Sequence, residues 1–262
     1  MKRAAGAAKA GHSGTLDPFA TGLLLVCLGR ATKLAGYLTG EDKRYRATVC
    51  LGVATDTDDS TGKEIARADA SAITKERVEA ALGPFRGTIS QVPPAFSAIQ
   101  KDGQRMYDKA RRGEAVEIAP REVVVHELVL ESFAAGVAIL EMRVSKGTYV
   151  RSIARDLGKA LGAGGHLTAL RRIASGSYRV EDASPLEAIK AGKAPVVALD
   201  RIVLPMPQIA LSADEAEKIV HGVLPARRFD DVDGLASLVS PEGRLLAVGR
   251  IAAGRLVLER VL

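Results

Sequence analysis

The strongest constraint on the fold is a pair of long apolar segments separated by a two-residue turn. Residues 122–133 and 137–144 are rich in Val, Leu and Ile, and Ala135-Gly136 joins them. Apolar and β-branched runs on either side of a short turn with Gly are typical of a β-hairpin. The chain is therefore expected to build on an extended antiparallel sheet.

A second strand pattern lies upstream, in the stretch KRYRATVCLG. Because side chains alternate between the two faces of a strand, Tyr45, Ala47, Val49 and Leu51 share one face, and more polar residues occupy the other. This alternation predicts a half-buried strand. The apolar run at 23–28, between two glycines, is expected to be a buried strand as well.

Helical signals occur in three segments. Thr74 is a predicted N-cap for a helix over 75–82, which Gly83-Pro84 should end. The stretch TYVRSIARDLGKALG carries apolar residues one helical turn apart, and ATKLAGYL has the spacing of a short helix.

The chain is expected to contain two domains, with a boundary near residue 206. Prolines interrupt the segment before it, at 195, 205 and 207. Beyond it, Ser212 begins a predicted helix, and the short strands LASLVS, LLAVG and LVLERV alternate with glycine turns. This pattern suits a small β-barrel.

Composition restricts the class of protein. The 262 residues are 47% hydrophobic, enough for a sizeable core, and the formal charge of +6 suggests a polyanionic partner. Cys27 and Cys50 match no metal-ligand spacing and no disulfide framework. No export signal or membrane-spanning run is found, so a soluble, cytoplasmic protein without a membrane partner is expected.

Asp17 lies within GHSGTLDPFATG, a stretch too rich in glycine for a packed core. Alone, an acid before proline is most often a helix N-cap with proline at the first helical position. The alternative is a carboxylate held for chemistry. Arg151, in SKGTYVRS near the start of a predicted helix, could hold such a carboxylate in a bidentate pair, or it could be an ordinary surface arginine.

Other candidates also have two interpretations. Tyr45 and Tyr149 could be core aromatics with a satisfied hydroxyl, and His12 could be an exposed turn residue. The stretch QVPPAFSAIQKDGQRMYDKARRGE looks like an exposed basic arm. Its cations are Lys101, Arg105, Lys109, Arg111 and Arg112.

Four motifs occur in a specific order: GHSGTLDPFATGLLLVCLGRATK, KRYRATVCLG, QVPPAFSAIQKDGQRMYDKARRG and SKGTYVRSIARDLG…HLTALRR. Together they closely resemble the bacterial TruB family of tRNA pseudouridine synthases over nearly the whole chain. The resemblance implies an α+β catalytic domain at 1–206, with an extended, largely antiparallel sheet flanked by helices. It also implies a small PUA-like RNA-binding β-barrel at 207–262.

The resemblance also implies roles for individual residues. Asp17 matches the family's catalytic aspartate, Arg151 the arginine paired with it, and Tyr45 the tyrosine that packs on the target base. The implied substrate-binding residues are His12, Tyr149, Leu170 and Lys146.

The implied reaction converts uridine 55 in the T-loop of tRNA to pseudouridine. The N1–C1′ bond breaks, the uracil turns, and C5 joins C1′. No cofactor or metal is expected, in agreement with a sequence that lacks a phosphate-binding loop, a dinucleotide fingerprint and a metal cluster. The basic arm should contact RNA phosphates, and a monomer without an obligate protein partner is expected.

One departure from the family pattern concerns the start of the chain. Family members carry a longer segment before GHSGTLDP, with a Lys-Pro-x-Gly-x-Ser/Thr loop, whereas ten residues precede it here. A start assigned too late is the favoured explanation, and truncation is the other.

The main alternative function is a non-catalytic tRNA-binding or tRNA-folding protein on the same scaffold. A guide-dependent synthase with partner proteins is a further alternative. Asp17, Tyr45 and Arg151 together favour catalysis, and the basic arm favours standalone recognition of RNA.

Overall fold

The computed structural model describes residues 5–96, 100–101, 104–105 and 118–262, with backbone only at 100, 101, 104 and 105. The chain divides into two compact units. The first contains Leu16–Leu23 and Asp42–Glu181, and the second contains Met1–Thr15, Leu24–Glu41 and Asp182–Leu262.

The first unit contains eleven of the described strands. They are β2 (Thr21–Gly22), β4 (Lys43–Leu51), β5 (Val53–Thr55), β6 (Glu64–Arg67), β7 (Gly87–Gln91), β8 (Gln100–Lys101), β9 (Gln104–Arg105), β10 (Arg121–Ala134), β11 (Val137–Val144), β12 (Gly165–Ser175) and β13 (Tyr178–Arg179). The second unit contains β1 (Ala10–His12), β3 (Val26–Leu28), β14 (Gln208–Ala210), β15 (Gly234–Val239), β16 (Leu245–Ala252) and β17 (Arg255–Val261).

The main sheet of the first unit has seven strands. Its order is β13-β12-β4-β11-β10-β7, and β2 pairs in parallel with β12. The other pairings in this sheet are antiparallel. The predicted hairpin is confirmed as β10 and β11, and both turn residues, Ala135 (φ 47°) and Gly136 (φ 76°), have the positive φ that tight hairpins need.

The core of the first unit lies on one face of this sheet. The alternation predicted for β4 is confirmed, since Ala47, Val49 and Leu51 are all at most 4% exposed. Helix α3 (Val150–Ala160) covers this face and packs Ile153 and Leu157 against the same cluster. Burial of these side chains holds α3 at a fixed position on the sheet.

The helix predicted after Thr74 is α2 (Lys75–Ala81). The Thr74 side chain accepts a hydrogen bond from the Arg77 amide at 3.4 Å, and a 3₁₀ turn at Gly83–Phe85 follows. The N-cap prediction is therefore confirmed.

The second unit contains a separate four-stranded sheet, in the order β14-β15-β16-β17. Helix α5 (Ala213–Val220) begins with a capping box between Ser212 and Glu215, and its Ile219 is buried with Leu238 and Ile251. This unit also contains α1 (Ala35–Thr39), preceded by a 3₁₀ turn at Gly29–Leu34, and α4 (Leu186–Lys190).

The predicted class, mixed α/β with an extended, largely antiparallel sheet and a small C-terminal β domain, is confirmed. The strand predicted over 23–28 is wrong in its first half, since β3 starts at Val26. Leu23 is instead bonded to β12 in the first unit. The domain boundary at residue 206 stays a prediction. Among the described residues, no helix is long and apolar enough to cross a bilayer.

Candidate active site

The structure joins Asp17 and Arg151 in a bidentate ion pair across 134 positions of sequence. Arg151 Nε donates to Asp17 Oδ2 at 3.0 Å, and Arg151 Nη2 donates to Asp17 Oδ1 at 2.9 Å. The arginine side chain is 6% exposed, whereas that of Asp17 is 27% exposed. The pair therefore presents an open carboxylate on a buried guanidinium.

Arg151 is held from its other side as well. Nη1 donates to the Thr57 carbonyl at 3.1 Å, and Nη2 donates to the Phe96 carbonyl at 3.1 Å. The carboxylate of Asp59 lies 3.5 Å from Nη1 and is almost fully buried. A planar guanidinium fixed by this many acceptors can occupy only one orientation.

Asp59 is itself held by the loop between β5 and β6. Its Oδ1 accepts hydrogen bonds from Thr57 Oγ1 (2.8 Å), the Thr61 amide (2.9 Å) and Thr61 Oγ1 (2.6 Å). Asp59 also forms a main-chain bridge with Leu167 of β12. The second carboxylate of the site is thus a fixed part of the scaffold.

A tight turn positions Asp17. The Asp17 carbonyl accepts from the Ala20 amide at 2.9 Å, with Pro18 as the second turn residue, and β2 starts directly afterwards. Phe19 packs against the core of the first unit. The interpretation of Asp17 as a helix N-cap is wrong, because the chain enters a strand after this turn.

Gln91 anchors the N-terminus of α3. Its side-chain oxygen accepts from the Tyr149 amide at 2.8 Å, and its Nε2 donates to the Tyr149 carbonyl at 3.0 Å. The guanidinium of Arg121 stacks on the Tyr149 ring, 4.8 Å from its centroid. Tyr149 is therefore fixed two residues before Arg151.

Tyr45 lies half-buried in β4, close to Asp17. Burial raises the pKa of Tyr45 above its ordinary value, while the charge of Arg172 and a hydrogen bond with it oppose that rise. The Asp17 carboxylate adds to the rise. Leu170, two residues before Arg172 on β12, is 5% exposed and belongs to the core.

A second acid–arginine pair lies one turn further along α3. Arg155 Nη1 donates to Asp58 Oδ2 at 3.1 Å, and Asp58 has a left-handed φ of 59°, which Asp tolerates better than most residues. Burial raises the pKa of Asp58 to about 6, although the charges of Arg155 and Arg151 oppose the shift.

The remaining predicted site residues lie at exposed positions or outside the described atoms. Lys146 is exposed in the turn before α3. His12 is exposed in β1 of the second unit. The basic arm is described only in part: Lys101 and Arg105 lie in the paired strands β8 and β9, and their side chains lie outside the described atoms. Lys109, Arg111 and Arg112 lie outside the described residues.

The sequence did not predict several residues of the site. They are Asp58, Asp59, Gln91, Arg155 and Arg172. Two signals were available. DTDDSTG concentrates carboxylates in a turn, and Arg155 follows Arg151 by one helical turn on the same helix face.

The arrangement suits a reaction in which the Asp17 carboxylate acts as an anion on a substrate that approaches from the solvent. The carboxylate has a fixed orientation and a neighbouring aromatic ring, and its counter-ion is buried beneath it. Within the described residues, no group of three or more His, Cys, Asp or Glu side chains is arranged to hold a metal ion.

Comparison with known proteins defines the class. Residues 2–150 match the family model described as TruB family pseudouridylate synthase (N terminal domain), and residues 151–210 match the model for the tRNA pseudouridylate synthase B C-terminal domain. The chain therefore belongs to the TruB family of pseudouridylate synthases.

Individual relatives are similar over most of their length. A tRNA pseudouridine synthase B of Symbiobacterium thermophilum is 47% identical, over 87% of this chain and 77% of the relative. One from Ruegeria pomeroyi is 45% identical, over 100% of this chain and 88% of the relative.

A solved structure described as a Cbf5-Nop10-Gar1 complex has the same fold. It aligns with a TM-score of 0.73, over 99% of this chain and 78% of that one, at 21% identity.

Proposed function

We propose that this chain is a tRNA pseudouridine synthase that isomerises uridine 55 of the T-loop, with Asp17 as its catalytic carboxylate. The observation that carries the proposal is the bidentate Asp17–Arg151 pair, whose carboxylate is open to solvent and whose guanidinium is buried. Membership of the TruB family and the names of the relatives support the substrate class.

The proposed chemistry takes place at the sugar of a flipped uridine. The N1–C1′ bond breaks, and Asp17 acts as the nucleophile at C1′ or stabilises the positive charge that develops there. The uracil turns and C5 bonds to C1′, which breaks the Asp17–C1′ ester bond where one has formed and restores the carboxylate. C5 then loses its proton and N1 gains one, so the net change is an isomerisation. Arg151 stabilises the ionised form of Asp17, because the pair is bidentate and the guanidinium is buried.

Other residues in this proposal hold the nucleotide. Tyr45 stacks on the flipped base, Leu170 lines the pocket, and His12 helps to hold the nucleotide out of the RNA. Extruding a base costs a few kcal/mol, which stacking at about 1–3 kcal/mol per base can offset. Tyr149 and Lys146 contribute to binding from the segment before α3.

Phosphate contacts supply the remaining affinity in this proposal. They come from the basic arm, with Lys101, Arg105, Lys109, Arg111 and Arg112. The enzyme acts on the T-stem-loop as a monomer in the cytoplasm, without an obligate protein partner or cofactor.

The test is pseudouridine mapping on an unmodified tRNA transcript incubated with the wild-type protein and with Asp17→Asn. The wild type should place pseudouridine at position 55 alone, and the variant should form no product while it binds tRNA nearly as well, because an acid contributes nothing to phosphate affinity. Asp214→Asn is the matched control, since Asp214 forms an exposed ion pair with Lys218.

Three outcomes separate the alternatives. Turnover by Asp17→Asn near the wild-type rate would contradict the role of Asp17. A wild-type protein that binds and refolds tRNA without forming pseudouridine would favour the non-catalytic alternative. Product at a uridine other than 55 would keep the chemistry and contradict the proposed target.

A further inference from the structure

Among the described residues, Arg172 is the bulkiest fully buried side chain, at 2% exposure, and the proposed chemistry does not use it directly. It lies near the end of β12, on the same face as Leu170. A buried guanidinium destabilises a fold unless hydrogen bonds replace its lost hydration. The partners of Arg172 therefore indicate why an arginine occupies this position.

One partner is the segment that carries Asp17. Arg172 Nε donates to the Leu23 carbonyl at 2.7 Å, and the Leu23 amide donates to the Arg172 carbonyl at 2.8 Å. Gly22 pairs beside Arg172 with a φ of +96°, and a Cβ there would lie 2.2 Å from the Arg172 carbonyl oxygen. The stretch Leu16–Leu23 therefore ends in direct main-chain and side-chain contact with Arg172.

Another neighbour of Arg172 is Tyr45. Arg172 stands opposite Tyr45 in the antiparallel pairing of β12 with β4, and its charge acts on the Tyr45 phenol by lowering the pKa of that group. A buried cross-strand neighbour of this size limits the positions that the Tyr45 ring can take.

We propose that Arg172 is a positioning residue for the isomerisation, whose guanidinium fixes the ring of Tyr45 relative to the segment that carries Asp17. The inference rests on the proposed function, since Tyr45 is the platform for the base and Asp17 acts at the sugar. Because Arg172 is buried, it acts through Tyr45 and the Asp17 segment. Its loss should misplace one catalytic group relative to the other, and a misplacement of about 1 Å can lower a rate about 100-fold.

The experiment compares Arg172→Met with Arg172→Lys in single-turnover reactions at saturating enzyme. Met keeps much of the volume and removes every donor, whereas Lys can reach one of the two acceptors at a time. We expect the rate to fall about 10- to 100-fold for Met and less for Lys. The dissociation constant for tRNA and its dependence on salt should not change, because a buried cation releases no counterions from RNA.

A double-mutant cycle with Tyr45→Phe separates positioning from mere core filling. Without the Tyr45 hydroxyl, Arg172→Met should lower the remaining rate by a smaller factor than it does in the wild type. If Arg172→Met does not fold, Arg172→Lys and Tyr45→Phe, alone and combined, provide the same cycle. Arg171→Met is the matched control, because Arg171 is the exposed neighbour on the other face of β12.

A second readout does not depend on turnover. Loss of the positive charge removes the main influence that lowers the pKa of Tyr45, so the Tyr45 ionisation followed by near-ultraviolet absorbance should move to higher pH in Arg172→Met. The chain has five tyrosines, and the Tyr45→Phe variant identifies the relevant one.

The outcomes are distinguishable. A wild-type protein without pseudouridine product overturns the proposed function and this inference together. An active wild type combined with an unchanged single-turnover rate in Arg172→Met and Arg172→Lys overturns only the role of Arg172. The same holds if the effect of Arg172→Met is equal with and without the Tyr45 hydroxyl, or if tRNA affinity falls in parallel with rate.

Discussion

Gly158 is the point where α3 touches the strand β12, and Gly158→Ala tests how strictly the sheet sets the position of Arg151. A Cβ at Gly158 would lie 2.2 Å from Gly164 C, 2.2 Å from Gly165 N and 2.5 Å from Gly164 O. All three atoms belong to the backbone, so no side-chain rotation relieves the clash. To reach ordinary contact at 3.4 Å, the helix must move away from the strand by about 1.2 Å.

The shift reaches the Asp17–Arg151 pair because a helix moves nearly as a rigid rod. Arg151 lies seven residues before Gly158, about 10 Å along the helix axis. Its bonds of 2.9 and 3.0 Å to Asp17 cannot both survive a shift of that size. We therefore expect a loss of turnover of about 100-fold.

The effect on stability should be smaller than the effect on rate. Overpacking a core contact costs about 1–3 kcal/mol, and the better helix propensity of Ala returns about 1 kcal/mol. A net loss of up to about 2 kcal/mol corresponds to a decrease of the melting temperature of at most several degrees for a chain of this size.

The assay measures single-turnover pseudouridine formation on unmodified tRNA together with the melting temperature. Gly36→Ala is the control, because Gly36 lies in α1 and a Cβ there has nothing within 4 Å. It should leave turnover near the wild-type value, and the melting temperature should be unchanged or slightly higher because Ala has the better helix propensity. A Gly158→Ala protein that turns over within about threefold of wild type would refute the reasoning, since a shift of about 1 Å should cost far more.

Three further predictions concern other parts of the chain. Burial raises the pKa of Asp58 from 3.8 to about 6 on folding, so its charged form is disfavoured in the native state. The unfolding free energy of the wild type, measured against Asp58→Asn, should therefore fall by up to about 3 kcal/mol as pH rises from about 4 to 7, and a constant difference would contradict this assignment. Thr74→Ala should lower the unfolding free energy by about 1 kcal/mol in chemical denaturation, with Thr74→Ser close to wild type, because the hydroxyl caps α2. Neutralising Lys109, Arg111 and Arg112 should flatten the slope of log affinity for tRNA against log salt by about two to three units, and an unchanged slope would place the RNA contacts elsewhere.

The sequence predicted the elements whose signal is local. The alternation around Ala47 and Val49, the capping residue Thr74 and the turn at Ala135-Gly136 each act within a few residues, so pattern alone located β4, α2 and the β10–β11 hairpin. The apolar run at 23–28 misled the prediction, because Leu23 is buried through its bonds to Arg172 on a distant strand.

The site was predictable only in part. Asp17 and Arg151 lie in motifs that are specific enough to suggest a pair, and the structure brings them together. Asp59 lies in the acidic turn DTDDSTG, Gln91 begins one family motif and Arg172 ends another, but none of these stretches indicates a hydrogen-bond partner. Gln91 and Arg172 become buried because elements far away in sequence supply their hydrogen bonds, and the Asp59 carboxylate is satisfied by Thr57 and Thr61 of its own loop.

The hydrogen bonds of the Arg151 guanidinium limit the kinds of ligand that can bind beside it. All three of its guanidinium nitrogens already have oxygen partners, at the Asp17 carboxylate, the Phe96 carbonyl and the carbonyl of Thr57. An inhibitor that offers an anion to this arginine would have to break the Asp17 pair first and leave a carboxylate without its counter-ion. A compound with a cationic sugar mimic would instead meet the exposed side of Asp17 and leave the pair intact. Under the proposed function, positive charge at the ligand atom that faces Asp17 is therefore the property to select.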